Sequence, residues 1–116
     1  MFYNTYMADG EKLVIKDTKK GEGESVKEGN TIVVHYKGYF PDGKQFDSSY
    51  DRDQPFEVQI GAGYVIRGWD EGILGMKVGG KRTLTVPYQY GYGKYGMGDI
   101  PGFATLIFDI ELLEIK

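Results

Sequence analysis

Thr31-Ile32-Val33-Val34-His35-Tyr36-Lys37-Gly38-Tyr39-Phe40, followed by Pro41-Asp42-Gly43, decides the fold class. Ile32, Val34 and Tyr36 fall on one face at period two, with Val33, His35 and Lys37 on the other, the pattern of a strand half-buried against a core. Pro41-Asp42-Gly43 reads as a turn. A second extended run follows at 44–48, so the two segments are predicted to form a hairpin.

On the C-terminal side the alternation continues at Phe56, Val58 and Ile60, a strand broken by Gly61-Ala62-Gly63. Residues 65–74 carry the one helical spacing: Val65, Ile66, Trp69, Ile73 and Leu74 share a face, and Gly75 is placed to stop the helix. A helix this short depends on tertiary packing. Residues 82–86 read as a strand with Leu84 and Val86 inward, ended by Pro87. Residues 88–103 form a loop rich in glycine and tyrosine. Residues 104–116 close the chain as a long strand with Leu106, Phe108, Ile110 and Leu112 on one face. On the N-terminal side, 13–16 is a short strand, 19–29 is charged and turn-rich, and 1–10 is an arm whose Phe2, Tyr3 and Tyr6 have no assigned place. The expected fold is α+β, a twisted antiparallel sheet of about five strands with one short helix, in a single domain over 11–116.

Composition narrows the chemistry. A chain of 116 residues makes one domain with a real core. It has no cysteine and one histidine, His35. Disulfides, thiolate nucleophiles, iron–sulfur clusters and cysteine- or multi-histidine zinc sites are excluded. Fourteen basic against 17 acidic residues give a net charge of −3, which argues against duplex nucleic acid as a partner. No run approaches the ~18 apolar residues of a membrane span. The first ten residues lack a signal-peptide pattern, so a cytoplasmic site is expected, although a mature exported domain would read the same. Eighteen glycines stand beside ten Tyr, six Phe and one Trp. Disordered chains are poor in aromatics, so this mixture points to tight turns around an aromatic surface or core.

Several motifs mislead. Gly91-Tyr92-Gly93-Lys94-Tyr95-Gly96 fits the dinucleotide fingerprint by letter, but Pro87 ends the strand before it, and Gly98 and Pro101 block a helix after it. Residues 75–81 approach a phosphate loop, yet Arg82 stands where a Ser or Thr should bind magnesium. A serine triad would need His35 with Ser48 or Ser49, and His35 sits mid-strand on the outer face. Asp47, Asp51 and Asp53 cluster around Arg52, either as an ion-paired loop or as paired carboxylates for glycoside hydrolysis. Tyr36, Phe46, Phe56, Trp69, Tyr92 and Phe108 come from different strands, the helix and the long loop. They are either aromatic core or the wall of a ligand pocket. Single-strand nucleic-acid binding on stacked rings is opposed by the acidic balance.

Taken in order, Val33-Val34-His35-Tyr36-Lys37-Gly38, Asp42 to Ser49, Pro55-Phe56, Val65 to Gly72, Met76 to Gly80, Tyr92-Gly93, Ile100-Pro101 and Ala104 to Leu113 resemble the FKBP-type peptidyl-prolyl cis–trans isomerases. The blocks run in that family's order and spacing over nearly the whole chain beyond the arm. The resemblance implies a sheet wrapped round the helix with a pocket between them. Trp69 would form the floor, with Tyr36, Phe46 and Phe108 as walls and Phe56, Val65 and Ile66 completing the lining. The Ile66 N–H would donate to a ligand carbonyl. Asp47 and Tyr92 would supply polar contacts at the isomerising bond, with Arg52 beside Asp47 and Ile100 on an overhanging loop. Asp47, Tyr92, Phe46 and Trp69 would form the catalytic group.

Asp47 has two readings under the resemblance: it favours the carbonyl carbon as the bond twists, or it orients Tyr92 and pairs with Arg52. The implied partners are proline-containing peptides, unfolded or flexible protein chains and rapamycin-type macrolides. No metal, cofactor, nucleic acid or membrane is implied, and the protein is expected to be a monomer. A binding or chaperone module without turnover is the alternative. The loop departs from the family pattern at Pro87-Tyr88-Gln89-Tyr90-Gly91, Met97, Asp99 and Pro101-Gly102-Phe103, and no inserted flap interrupts 56–61 or 81–95.

Overall fold

Ile32, Val34 and Tyr36 are buried and Lys37 is exposed in the computed structural model, which describes residues 12–116. The arm at 1–10 lies outside the described residues. The chain runs β1 (Val14–Lys19), β2 (Thr31–Tyr39), β3 (Gln45–Ser48), β4 (Phe56–Gln59), α1 (Arg67–Gly72), β5 (Lys81–Val86) and β6 (Leu106–Ile115). Six antiparallel strands form one sheet in the order β1-β5-β6-β2-β3, and β4 also pairs with β2. The expected count of about five is one short, although the segment at 13–16 that reads as a short strand is present, running on to Lys19 as the exposed edge strand β1.

The long strand β2 organises the rest. Its first half pairs with β4 and its second half with β3 along one edge, while β6 runs along the other. Register shifts at Val33/Val34 and Gly38/Tyr39 mark bulges, which bend and twist a strand. The concave face buries Leu84 and Val86 of β5, and Leu106, Phe108, Ile110 and Leu112 of β6, against Trp69 and Ile73. These are the inward residues that the alternation predicts for both strands.

The helix is shorter than the 65–74 predicted from spacing. Ile66 is extended (ψ 154°) and caps the start, Ile73 caps the end, and Leu74 is 38% exposed rather than on the buried face. Packing sets this length. A Cβ on Gly68 would lie 2.7 Å from Val86 Cγ1, and one on Gly72 would lie 2.9 Å from Leu84 Cδ1. The helix therefore rests its two glycines directly on β5, and the apolar pair before it serves another surface. Gly75 turns the chain away with φ +83°, its N–H donating to Val26 O at 2.9 Å.

The 88–103 segment is an ordered loop. It holds a single 3₁₀ turn at Tyr88–Tyr90, and Met97 and Ile100 exchange two backbone hydrogen bonds of 2.9 Å. No helix follows Gly91–Gly96, so the dinucleotide reading has no structural support. Among the described residues no helix is long and apolar enough to cross a membrane.

Candidate active site

The two residues displaced from the helix, Val65 and Ile66, turn toward a cavity of about 210 Å³ between helix and sheet. Its lining is Tyr36, Phe46, Asp47, Phe56, Tyr64, Val65, Ile66, Trp69, Tyr92 and Phe108. All of the residues expected around a pocket are in that set except Arg52 and Ile100. Arg52 stands behind Asp47. Ile100 packs against the edge of the core from the long loop. Tyr64 was not anticipated. It is 72% exposed, and the signal that could have found it is its place directly before Val65-Ile66.

The rings meet edge to face. Trp69 lies 5.0 Å from Tyr36, 5.9 Å from Phe56 and 5.5 Å from Phe108 between centroids, all near perpendicular. Phe46 meets Phe108 at 5.7 Å and 89°. Such pairs are favoured by the ring quadrupole and hold one another in place. The Trp69 indole N–H is buried with no hydrogen-bond acceptor.

The loop before the helix is pinned from below. Gly61 N–H and Gly63 N–H donate to the two Asp70 carboxylate oxygens at 2.8 and 3.1 Å. The Ile66 carbonyl accepts from Trp69 and Asp70, whereas the Ile66 N–H makes no hydrogen bond among the described residues. It is a backbone donor at the pocket wall with its capacity unused.

Phe46 and Asp47 are neighbours in sequence yet both line the pocket, which strict alternation forbids. The bulge explains it. Continued from Tyr39↔Gln45, an unbroken hairpin would set Asp47 opposite Lys37 on the outer face. The register shift sets it opposite Gly38 instead.

Asp47 is then fully engaged. The Tyr36 hydroxyl donates to Oδ2 at 2.5 Å, Arg52 Nη1 to Oδ1 at 2.5 Å and the Ser48 N–H to Oδ1 at 2.9 Å. Arg52 Nη2 also donates to the Tyr36 oxygen at 3.1 Å. Asp47 thus orients Tyr36, where the sequence suggested Tyr92; it reaches Tyr92 only through its charge. The reason is cross-strand geometry, since Tyr36 and Asp47 are diagonal neighbours across the hairpin.

Burial pushes the Asp47 carboxyl up, but the hydrogen bonds from Tyr36 and Arg52, the guanidinium charge and the Ser48 N–H outweigh it and hold it below the usual range. Burial and then Asp47 push the Tyr36 phenol up, and burial and Asp47 do the same to Tyr92. Both phenols therefore stay protonated donors at neutral pH. A depressed carboxyl contributes stability above its unfolded value, near 3.9, and loses it as pH falls through the folded value. Ligand affinity at this pocket is accordingly expected to be flat from pH 7 to about 5 and to fall only below about 4. A titration of affinity against pH checks this, and a midpoint near 6 would contradict it.

The other sequence candidates resolve structurally. Ser49 is fully buried, and its hydroxyl oxygen accepts from the Tyr36 N–H at 2.7 Å while also meeting His35 Nδ1 at 2.8 Å. His35 stacks on Tyr50 at 4.6 Å. A serine so enclosed is no nucleophile. Asp51 accepts from Gln45 at 2.6 Å, and of the three clustered aspartates only Asp47 faces the pocket.

Residues 22–113 match a family model described as FKBP-type peptidyl-prolyl cis-trans isomerase. The chain is 62% identical over 89 residues to FK506-binding protein 2 of Emericella nidulans, a match covering 76% of this chain and 66% of that protein, just under two thirds of its length. It is 52% identical over 104 residues to an FK506-binding protein of Neisseria meningitidis serogroup B, covering 89% of this chain and 95% of that one. Among solved structures, AtFKBP13 superposes with a TM-score of 0.84 at 40% identity, over 90% of this chain and 93% of that one. FkpA from Escherichia coli gives 0.84 at 45% identity, over 90% of this chain and 48% of its own.

Proposed function

The chain belongs to the FKBP-type peptidyl-prolyl cis–trans isomerases, and on that premise we propose that it accelerates rotation about X–Pro bonds in peptides and in unfolded or flexible protein chains, assisting their folding. The observation that carries this reading is the ring-walled cavity with Trp69 beneath it and an unengaged Ile66 N–H at its wall.

Both X–Pro isomers are populated because the tertiary amide weakens the trans preference. Exchange is slow because rotation breaks amide resonance, against a barrier of ~18–20 kcal/mol. The planar amide is strongly dipolar and the twisted state less so, so water favours the ground state. Moving the bond into a pocket of rings reverses part of that preference, which is differential binding of the transition state. The prolyl ring packs over Trp69. The Ile66 N–H takes the carbonyl that anchors the chain, and Tyr92 faces the twisting bond. Each ~1.4 kcal/mol of selective stabilisation is worth tenfold in rate. The same cavity takes rapamycin-type macrolides. We read 11–116 as the working domain, a monomer acting in the cytoplasm.

A coupled isomerisation assay on a short X–Pro peptide, with rapamycin as competitor, tests the proposal. Acceleration over buffer that rapamycin abolishes is the expected result. Ligand binding without acceleration would instead make this a holding module.

Asp47 acts here by positioning. Its charge is already neutralised by Arg52, and its other oxygen fixes the Tyr36 ring that walls the pocket. Asp47→Ala should lower kcat/KM about tenfold, the scale of one charged hydrogen bond. Asp47→Asn, whose one oxygen can still accept from Arg52 and Ser48 while its N–H can only donate to the Tyr36 oxygen, should lose less. Equal losses in the two variants would show that the carboxylate field, not ring placement, is what matters.

A further inference from the structure

A second cavity, of about 230 Å³, shares no residue with the ring-walled pocket and is lined by Asp17, Lys19, Lys20, Gly21, Gly75, Met76, Lys77, Gly80 and Arg82. We propose that this cavity, formed where the end of β1 meets the 75–80 turn, binds a phosphoryl-type oxyanion independently of proline isomerisation.

Charge is the first argument. Four cations line the cavity against one carboxylate, in a chain of net charge −3. That carboxylate, Asp17, is already held by Arg82 at 2.7 Å. Among the described residues none of Lys19, Lys20 and Lys77 forms an ion pair. Lys19 also stands directly opposite Lys81 across the β1–β5 ladder, beside the register shift that follows Asp17. Like charges directly opposed destabilise a strand pair. Lys81 faces Glu111 on its other side, outside the cavity, so Lys19 is the one of the two that an anion in the cavity would relieve.

The second argument is that the site is built. Arg82 is 7% exposed, and its Nη2 makes a single bond, at 3.3 Å to Asp17. A guanidinium N–H thus remains for a ligand, in the fork geometry that suits phosphate. The walls cannot fold inward. A Cβ on Gly21 would lie 2.4 Å from Lys77 O, and one on Gly80 would lie 2.9 Å from Gly21 N. The two turns are already packed backbone on backbone.

The run Gly75 to Lys81, which mimics a phosphate loop in sequence, does not bind as one. The Gly79 and Gly80 N–H groups donate to Leu112 O and Lys77 O at 2.9 Å each. Recognition therefore falls to side chains, and affinity should be sensitive to salt.

The test is an amide NMR titration of the full chain, at constant ionic strength, with sodium pyrophosphate in one arm and a short phosphoserine peptide in the other. Saturable shifts at Gly21, Lys77 and Gly80 are expected with pyrophosphate. The same shifts with the peptide would show that a chain-borne phosphate is also accepted. Lys19→Ser with Lys77→Ser should weaken binding at least about tenfold, while leaving X–Pro peptide turnover unchanged. Lys44→Ser with Lys94→Ser, which removes the same charge elsewhere, should not. The proposal is overturned if neither probe saturates, if shifts spread equally to other lysines, or if the Lys19/Lys77 variant binds like the parent. Because turnover is measured separately, failure here leaves the isomerase reading untouched.

Discussion

Trp69→Ala is expected to abolish measurable isomerisation and to cost about 3–5 kcal/mol of stability, the range for truncating a large buried aromatic. The indole is 3% exposed and meets three other rings edge to face, so its loss opens a void under the pocket and unseats the walls together. Domains of this size hold only about 5–15 kcal/mol in total, so the alanine variant risks unfolding outright. Trp69→Phe separates the two effects. It keeps an aromatic floor, should retain most of the stability, and should still lose roughly tenfold or more in kcat/KM through a weaker floor under the prolyl ring. A Trp69→Phe protein that is folded and fully active would remove the indole from the mechanism. Trp69 is the chain's one tryptophan and lines the pocket, so its fluorescence in the parent is expected to change when the pocket fills.

Much of the frame was legible because burial leaves a period in the sequence. Ile32, Val34 and Tyr36, and Leu106 through Leu112, alternate because one sheet face is dry. The resemblance then supplied the identities of most pocket residues. The failures share a cause. Val65 and Ile66 read as helix by spacing because an apolar side chain looks the same whether it faces a core or a cavity. Tyr64 was missed because an exposed aromatic is ordinary at a surface. The Asp47–Tyr36 contact depends on a one-residue bulge, and bulges arise from how strands settle against neighbours rather than from a local motif. The edge strand β1 reads only as far as 16, because its exposed residues leave no inward face to mark its end at Lys19. Alternation sets position 82 on the inward face with Leu84 and Val86, but the partners that take the donors of its cation lie far along the chain and leave no local sign.

Those partners make Arg82→Ala an expected loss of about 3 kcal/mol that leaves the pocket walls untouched. Arg82 Nη1 donates to Gly72 O at 2.9 Å and to Leu74 O at 2.8 Å, and Nε donates to Asp17 at 2.7 Å. The two carbonyls end the short helix, where orphan acceptors are otherwise left to water. The cation also sits at the negative end of the helix. Hydrogen bonding by Arg82 holds the Asp17 carboxyl below its usual range, yet Asp17 is 45% exposed and can rehydrate when its partner goes. The energy therefore lies with the carbonyls more than with the ion pair. Asp17→Ala should cost no more than about 1 kcal/mol, in line with exposed pairs. Arg82→Lys should fall between the two, because one ammonium cannot reach both carbonyls and the carboxylate in the fork that guanidinium offers. Denaturant midpoints for the three variants decide it. If Asp17→Ala matches Arg82→Ala, the ion pair dominates and the helix end needs no cation. If the ranking holds, Arg82 fixes the C-terminal end of the segment whose Trp69 floors the pocket, and a residue outside that pocket sets how firmly the floor is held.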